Sequence, residues 1–429
     1  MKQIKQGSTG LSVQYAQLAL LRAGEPVGAL DGAFGSQTLA AVRGFQQRNG
    51  LAADGIVGPD TWAALFPYLT GYTLYPVRAG DTLSAIARRY GTTAEAIRIA
   101  NPNAEPDALS VGSTLTVPLP FPVATWDVPY SSMLSGLVLD GLRARYPKLT
   151  VAGYGASVQG RRLLAASFGA GQAAVGINAS HHANEWITTP LTLRMLEAYL
   201  YAEAYGCALA GFDARLLYAS TRLTLTPLVN PDGVDLVTGY LPANDPAFQR
   251  AMGFAGDYPR IPFPSGWKAN LNGVDLNLGY PAGWERAREK KFAEGYTRPG
   301  PRDYVGQAPL TEPENVALWR LTQEKHFRLT VSYHTQGAEI YWRYDGYAPA
   351  GAERIVSAFA AASGYAPADP SAYSGYAGYK DQFIDAFDRP GFTVEAGRGT
   401  NPLPIGDLGQ LYRENIGIFA NSLALATNA

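Results

Sequence analysis

The sequence predicts a multidomain chain: a small all-α bundle, a small β-α-α-β module, and a large α/β domain with a mixed central sheet flanked by helices. Three observations predict it. At 429 residues the chain is longer than one ordinary domain. Near the N-terminus a nine-residue turn pattern occurs twice, each copy after a segment with helical apolar spacing. Beyond residue 130, short apolar runs alternate with amphipathic segments, and several runs end in a polar residue capable of chemistry.

The bundle occupies residues 1–70. "DGAFGSQTL" (31–39) and "DGIVGPDTW" (54–62) share D-G-x-apolar-G-x-x-T-apolar, offset by 23 positions. Asp and Gly set a tight turn, and Thr38 and Thr61 are expected to cap the helices that follow. The segment resembles a peptidoglycan-binding-like helical domain over most of its length. That resemblance implies a wall polymer as partner, although the repeat itself shows only a bundle that folds.

The β-α-α-β module covers residues 73–119. "LYPVR" reads as a strand, and Asp81 or Thr82 should cap the amphipathic "LSAIARRYG". "TTAEAIRIANPN" gives a second helix stopped by Pro102, and "STLTVP" returns as a strand. The pattern GDTL…IA…YG…NP…G…L.VP resembles a LysM module along the whole stretch. The resemblance implies binding to N-acetylglucosamine-containing glycan strands, with Gly80, Asp81, Thr82 and Asn101 on the loops that form the groove. Residues 120–129, "PFPVATWDVP", read as a stiff proline-rich linker.

Bulk composition removes several function classes. Apolar residues make up 47% and charged residues 17%, which suits a globular chain. The net charge of −1 provides no basic surface, so no nucleic-acid partner is expected. No apolar run of about 18 residues exists, so no membrane span is expected. The single cysteine, Cys207, excludes an intrachain disulfide. "MKQIKQGSTG" lacks an apolar core, so no signal peptide is expected. Association with a bacterial cell wall then requires another export route, or action in a mother-cell or cytoplasmic compartment.

Residues 130–429 are expected to carry the chemistry. The chain has only four histidines, and two of them adjoin in "ASHHANEW" (179–186). His182 and Glu185 have H-x-x-E spacing, which one helical turn brings to one face. "RLTVSY" leads to His334, and "GFTV" leads to Glu395. In an open α/β sheet such strand ends gather the active groups. Two imidazoles and a carboxylate suit zinc with an open fourth position. His181 reads as a supporting residue and His326 as an exposed helical one.

From about residue 126 onward the chain resembles the zinc carboxypeptidase family. "GINASHHANEW", "PLVNPDGVDL", "WKANLNGVDLN", "SYHTQG" and "PGFTVEAG" stand in the family's order. The resemblance implies one Zn2+ ion per chain held by His182, Glu185 and His334, with Glu395 as general base. Lys268 would support the oxyanion where the family uses arginine. Asn277 would bind substrate, but the arginine expected next to it is Leu278. Another arginine, inside the first metal motif of many members, is Asn184. Counting back from Glu395 matches Tyr373 to the family's mobile tyrosine and Lys380 to its side-chain pocket. Tyr376 and Tyr379 are alternatives to Tyr373.

"DLNL" (275–278) and "PAGW" (281–284) resemble segments of γ-D-glutamyl-diamino acid endopeptidases. The implied activity is hydrolysis of the peptidoglycan stem peptide between γ-D-glutamate and meso-diaminopimelate or lysine. A metallocarboxypeptidase acting on wall-derived or general peptides is the alternative. A non-catalytic wall-binding protein is a third reading, disfavoured by the complete His182, Glu185, His334 and Glu395 set.

Overall fold

The computed structural model describes the chain apart from Asp107, residues 370–375 and Ala429. Two compact units emerge. One holds Met1–Pro129 with Gly136–Thr150, and the other holds Tyr130–Ser135 with Val151–Ala429.

In the first unit, helices Leu11–Arg22, Ser36–Arg48 and Pro59–Thr70 form the bundle. The two D-G turns are closed by buried glutamines from the helix preceding each turn. Gln17 Oε1 accepts from Gly32 N at 2.9 Å, and its Nε2 donates to Asp31 Oδ1 (2.9 Å), Ala33 O (3.2 Å) and Thr38 Oγ1 (3.2 Å). Gln46 repeats this with Gly55 N (2.9 Å), Asp54 Oδ1 (2.9 Å), Ile56 O (3.0 Å) and Thr61 Oγ1 (3.1 Å). Thr38 and Thr61 therefore do not cap. Gly35 and Gly58 occupy the cap positions without side-chain bonds, and the threonine hydroxyls, inside the helices, meet the glutamines.

Strands β1 (Tyr72–Pro76) and β2 (Thr114–Pro118) pair antiparallel around helices Leu83–Tyr90 and Ala94–Ala100. Their core is Tyr75, Val77, Leu83, Ile86, Ala87, Ile97, Leu115 and Val117. Thr82, not Asp81, caps the first helix through Ala85 N. The proline-rich stretch after β2 is packed instead of standing free as a linker. Val123, Ala124 and Val128 are buried, and Arg145 donates to the carbonyls of Gly71, Leu119 and Phe121. Proline there fixes the backbone direction while the apolar neighbours supply the packing.

The second unit is built on an eight-stranded mixed sheet. Its strands are β3 (Thr150–Ala156), β4 (Arg162–Phe168), β5 (Ala173–Ala179), β8 (Thr221–Thr226), β9 (Leu329–His334), β10 (Glu339–Tyr341), β11 (Ala366–Ala368) and β12 (Gly391–Glu395). A two-residue hairpin, β6 (Ala208–Leu209) and β7 (Phe212–Asp213), lies outside it. The order is β11-β10-β12-β9-β5-β8-β4-β3. Strands β8, β5, β9 and β12 run parallel, so their carboxyl ends share one edge. β5 and β9 are buried along their whole length, as central parallel strands must be. Helices Thr188–Tyr205, Ala352–Ser363 and Leu408–Leu425 pack with one another and with the sheet. Tyr379, Leu318 and Trp319 belong to another cluster, with Leu276 and Tyr280, beneath the site. No helix among the described residues is long and apolar enough to cross a membrane.

Candidate metal and catalytic site

β5 ends at Ala179, and the chain turns through Ser180, which has φ 53°. His182 then precedes a 3-10 turn, Ala183–Glu185. In a 3-10 turn residues i and i+3 eclipse, which is what H-x-x-E needs. His182 Nδ1 lies 2.9 Å from Glu185 Oε1. Threonine hydroxyls fix the turn: Thr188 Oγ1 accepts from Ser180 N at 3.0 Å and donates to Glu185 O at 2.9 Å.

His334 closes β9 and Glu395 closes β12. The parallel register sets these two residues opposite each other. His334 Nδ1 lies 2.9 Å from Glu185 Oε2 and 3.2 Å from His182 Nδ1. Two imidazole nitrogens with lone pairs facing at that distance repel unless a cation or proton lies between them. The edges of a tetrahedron with roughly 2.0 Å metal bonds are about 3.3 Å, so this donor set fits zinc. Among the described residues His182, Glu185 and His334 are the group of three ligand-bearing side chains that converge in this way, within 4.8 Å.

Asp275 is the residue that sequence reasoning missed. Its Oδ1 accepts from His182 Nε2 at 2.9 Å, which leaves Nδ1 free to face the other donors. Its Oδ2 accepts from Asp303 N at 3.2 Å. Burial opposes the charge on Asp275, yet His182 and Lys268 hold its carboxyl well below the ordinary range. The signal was the aspartate within "GVDLN", which reads as turn chemistry unless its distance from His182 is known. His181 is buried, stacks on His334 at 5.6 Å and reaches Tyr280 Oη at 3.2 Å, a supporting position.

Lys268 Nζ contacts Glu185 Oε1 at 3.0 Å, so the cation stands at the metal group. Burial works against its charge, but the Glu185, Asp275 and Glu395 carboxylates outweigh it and raise its pKa. Glu395 lines the same cleft. Burial and the neighbouring Glu185 push its carboxyl up to about 8, against the pull of Lys268 and His182. A divalent ion between these groups would draw it down again, toward a base that works near neutrality.

The cleft has a volume of about 260 Å3. Leu278 lines it and packs toward Trp284, Ala287, Val305 and Ala377. Asn277 faces it too, while its Oδ1 accepts from Tyr379 N at 3.1 Å. Lys380 reaches the cleft, but its ammonium is already engaged by the Asp381 carboxylate and by Arg343 O at 2.5 Å. It therefore does not present the free cation that its place in the sequence suggested. Tyr373 lies outside the described residues. Tyr379 is buried, with its hydroxyl 2.7 Å from Thr322 Oγ1, whereas Tyr376 is only half-buried, edge-on to Tyr344.

The β-α-α-β module uses its polar loop side chains internally. Asp81 accepts from Tyr75 Oη (2.9 Å) and Arg78 N (2.7 Å), and Thr82 caps a helix. Asn101 bridges Ile97 O (2.7 Å), Thr116 O (2.7 Å) and Thr116 N (2.8 Å). Gly80 adopts φ +85° with open space around it.

Comparison with known proteins agrees with this geometry. A zinc carboxypeptidase family model matches residues 137–388, a peptidoglycan binding domain model residues 9–65, and a LysM domain model residues 75–118. γ-D-Glutamyl-L-diamino acid endopeptidase 1 of Lysinibacillus sphaericus is 42% identical over 296 residues, covering 69% of this chain and 72% of the relative. The Bacillus subtilis protein YqgT is 38% identical over 280 residues, 65% of this chain and 73% of its own. In fold, carboxypeptidase A from Helicoverpa armigera superposes with a TM-score of 0.53 at 17% identity, over 99% of each chain. The family match spans more than half of the sequence and the first relative is covered over most of its length, so this chain belongs to the zinc carboxypeptidase family and is a metallopeptidase.

Proposed function

We propose that the protein is a zinc-dependent peptidoglycan hydrolase that cuts stem peptides between γ-D-glutamate and a diamino acid. One observation carries the reading. A complete donor set with an adjacent base opens onto a cleft where leucine, Leu278, stands in place of a carboxylate-clamping arginine. A C-terminal carboxylate bound beside Leu278 would lack the arginine that the family pattern places at that position, and an unpaired buried anion is costly to desolvate. The name of the Lysinibacillus sphaericus relative and that of the peptidoglycan binding domain model favour the same substrate.

In this reading His182, Glu185 and His334 would hold one zinc ion. When bound, it supplies Lewis acidity and acidifies a water. The residues of the chain do the rest. Asp275 holds the His182 tautomer. Glu395 accepts the proton of the attacking water and returns it to the leaving amine. Lys268 offsets the negative charge that develops on the scissile carbonyl oxygen. As a point charge, it does this without the planar fork of an arginine.

Defined muropeptides digested with the zinc-loaded protein should yield fragments ending in γ-D-glutamate, identified by mass. Release of single C-terminal residues from unrelated peptides would instead make it an ordinary carboxypeptidase. The first 118 residues are assigned to wall attachment and hold no histidine. Truncation to start near Thr125 removes packing partners of Gly136–Thr150, so the melting temperature is checked first; once shown folded, the truncated protein should keep its activity on soluble muropeptides and lose much of it on sacculi. Equal sacculus activity of the two forms would refute the attachment role. In the LysM module the glycan contacts fall to the backbone around Gly80 and the Asn101 loop, because the side chains of Asp81, Thr82 and Asn101 are spent on the fold.

A further inference from the structure

The cleft contains a cation whose charge the chemistry above does not use. Arg302 lines it together with Lys268, His182, Asp275 and Glu395. Its side chain remains 39% exposed. Its Nε donates to Asp303 Oδ2 at 2.5 Å, and among the described residues its two terminal nitrogens make no hydrogen bond. A guanidinium held at Nε and open at both Nη atoms is a fork presented to a planar anion.

The segment that carries Arg302 is fixed with care. Pro301 O accepts from Lys268 N (2.7 Å) and Ala269 N (3.0 Å), so residues 301–303 run beside the backbone of Lys268. Asp303 sits at φ 64°, a left-handed conformation that non-glycine residues seldom adopt, and from there its N–H reaches Asp275 Oδ2. Lys291 Nζ holds the other oxygen of Asp303 at 2.9 Å. Arg302 is thus tied, through Asp303 and Asp275, to the same framework that orients His182.

We infer that Arg302 is a specificity-determining residue that binds the free α-carboxylate of the γ-linked glutamyl residue. This rests on the stem-peptide reading above and adds to it the group that is recognised. The chemistry selects this group. In an ordinary peptide bond the acyl-side residue has no free α-carboxylate. A γ-linkage leaves the α-carboxylate free, a few bonds from the scissile carbonyl and on the acyl side. The charge that develops on that carbonyl falls to Lys268, and Arg302 lines the same cleft on the segment hydrogen-bonded to the Lys268 backbone. On the amine side, where a clamping arginine would stand, the chain has Leu278. Lys380 is neutralised by Asp381. Among these groups Arg302 has the open fork, and the inference assigns that fork to the acyl side.

The test compares kcat/KM for a diaminopimelate stem peptide with γ-D-glutamate against the same peptide carrying the α-carboxamide, γ-D-isoglutamine. The proteins are the full-length zinc-loaded wild type, Arg302→Met and Arg302→Lys, with melting temperatures confirming that each is folded. The wild type should prefer the free acid by roughly 10- to 150-fold, the range for a hydrogen bond to a charged group. In Arg302→Met this ratio should collapse toward one, and Arg302→Lys should fall between. A ratio unchanged in Arg302→Met overturns the inference. Equal losses on both substrates overturn it too, because Arg302 would then act only by positioning Asp303 and Lys268. A preference that instead follows amidation of diaminopimelate moves the recognised anion to the amine side and overturns the assignment. If the wild type cleaves neither peptide, the stem-peptide reading itself fails, by a readout separate from the ratio.

Discussion

In the metal-bearing part of the cleft each donor is held by a neighbour or by its strand, although the buried Nε2 of His334 makes no hydrogen bond among the described residues. His182 is held by Asp275, Glu185 by Lys268 and the threonine-pinned turn, and His334 by its strand register. The substrate-facing part differs. Leu278 replaces a cation, Lys380 is consumed by Asp381, and Arg302 is anchored at one nitrogen and open at the others. The first part serves the coordination chemistry. The second faces the substrate, and there an apolar side chain stands at Leu278, a charge is balanced at Lys380 and one is left open at Arg302.

Breaking the metal-bearing part should have the larger effect on turnover. Glu395→Gln should retain zinc, by metal analysis, and lose about 10²- to 10⁴-fold in kcat. Near-normal kcat would assign the base elsewhere. For the substrate-facing part, Lys380→Met tests whether that lysine is recognition or structure. Removing one partner of a buried ion pair costs about 3–5 kcal/mol, read as a lower urea midpoint, and Lys380→Met/Asp381→Leu should recover much of it. A variant of normal stability with altered substrate preference would restore Lys380 as a pocket residue. Asp275→Asn should weaken zinc binding by roughly 10- to 100-fold in a chelator competition. Unchanged affinity would make its bond to His182 incidental.

The last test is read in stability alone and concerns the segment that follows Lys268. Asn270 Nδ2 donates to Glu312 Oε2 (2.6 Å) and Glu314 Oε2 (3.2 Å). Burial raises the Glu314 carboxyl to about 7, against the pull of its hydrogen bonds. Its unfolded value is about 4.3. Between these values the folded state holds more protons than the unfolded one, so this group's contribution to stability is full below about 4.3 and is lost as pH rises through about 7. Glu314→Gln should flatten the stability–pH curve in that window by up to about 1.4 kcal/mol per pH unit. An unaltered slope in denaturant titrations would show that Glu314 ionises normally.

Much of this was legible in the sequence, unevenly. The proposed ligands and Glu395 stood out because few side chains bind zinc or move a proton, and His182, His334 and Glu395 stand just beyond apolar runs. Asp275 did not, because a carboxylate that orients a histidine 93 positions away leaves no local pattern. Gln17 and Gln46 were missed for a different reason. They stand 29 positions apart while the turns they close stand 23 apart, so a fixed-period comparison passes over them. In the LysM module, Asp81, Thr82 and Asn101 were read as ligand contacts because polar loop residues serve binding and backbone closure alike. Only the hydrogen bonds distinguish the two uses.

The parallel pairing of β9 with β12 has a consequence in time. The proposed donors His182, Glu185 and His334 all precede Gly391, where the strand that brings Glu395 beside His334 begins. That strand pairs with β9 on one side and β10 on the other, both of which come before it in the chain. The proposed base is therefore the last of the four groups to be made, and it reaches its place only when β12 closes the gap between two earlier strands.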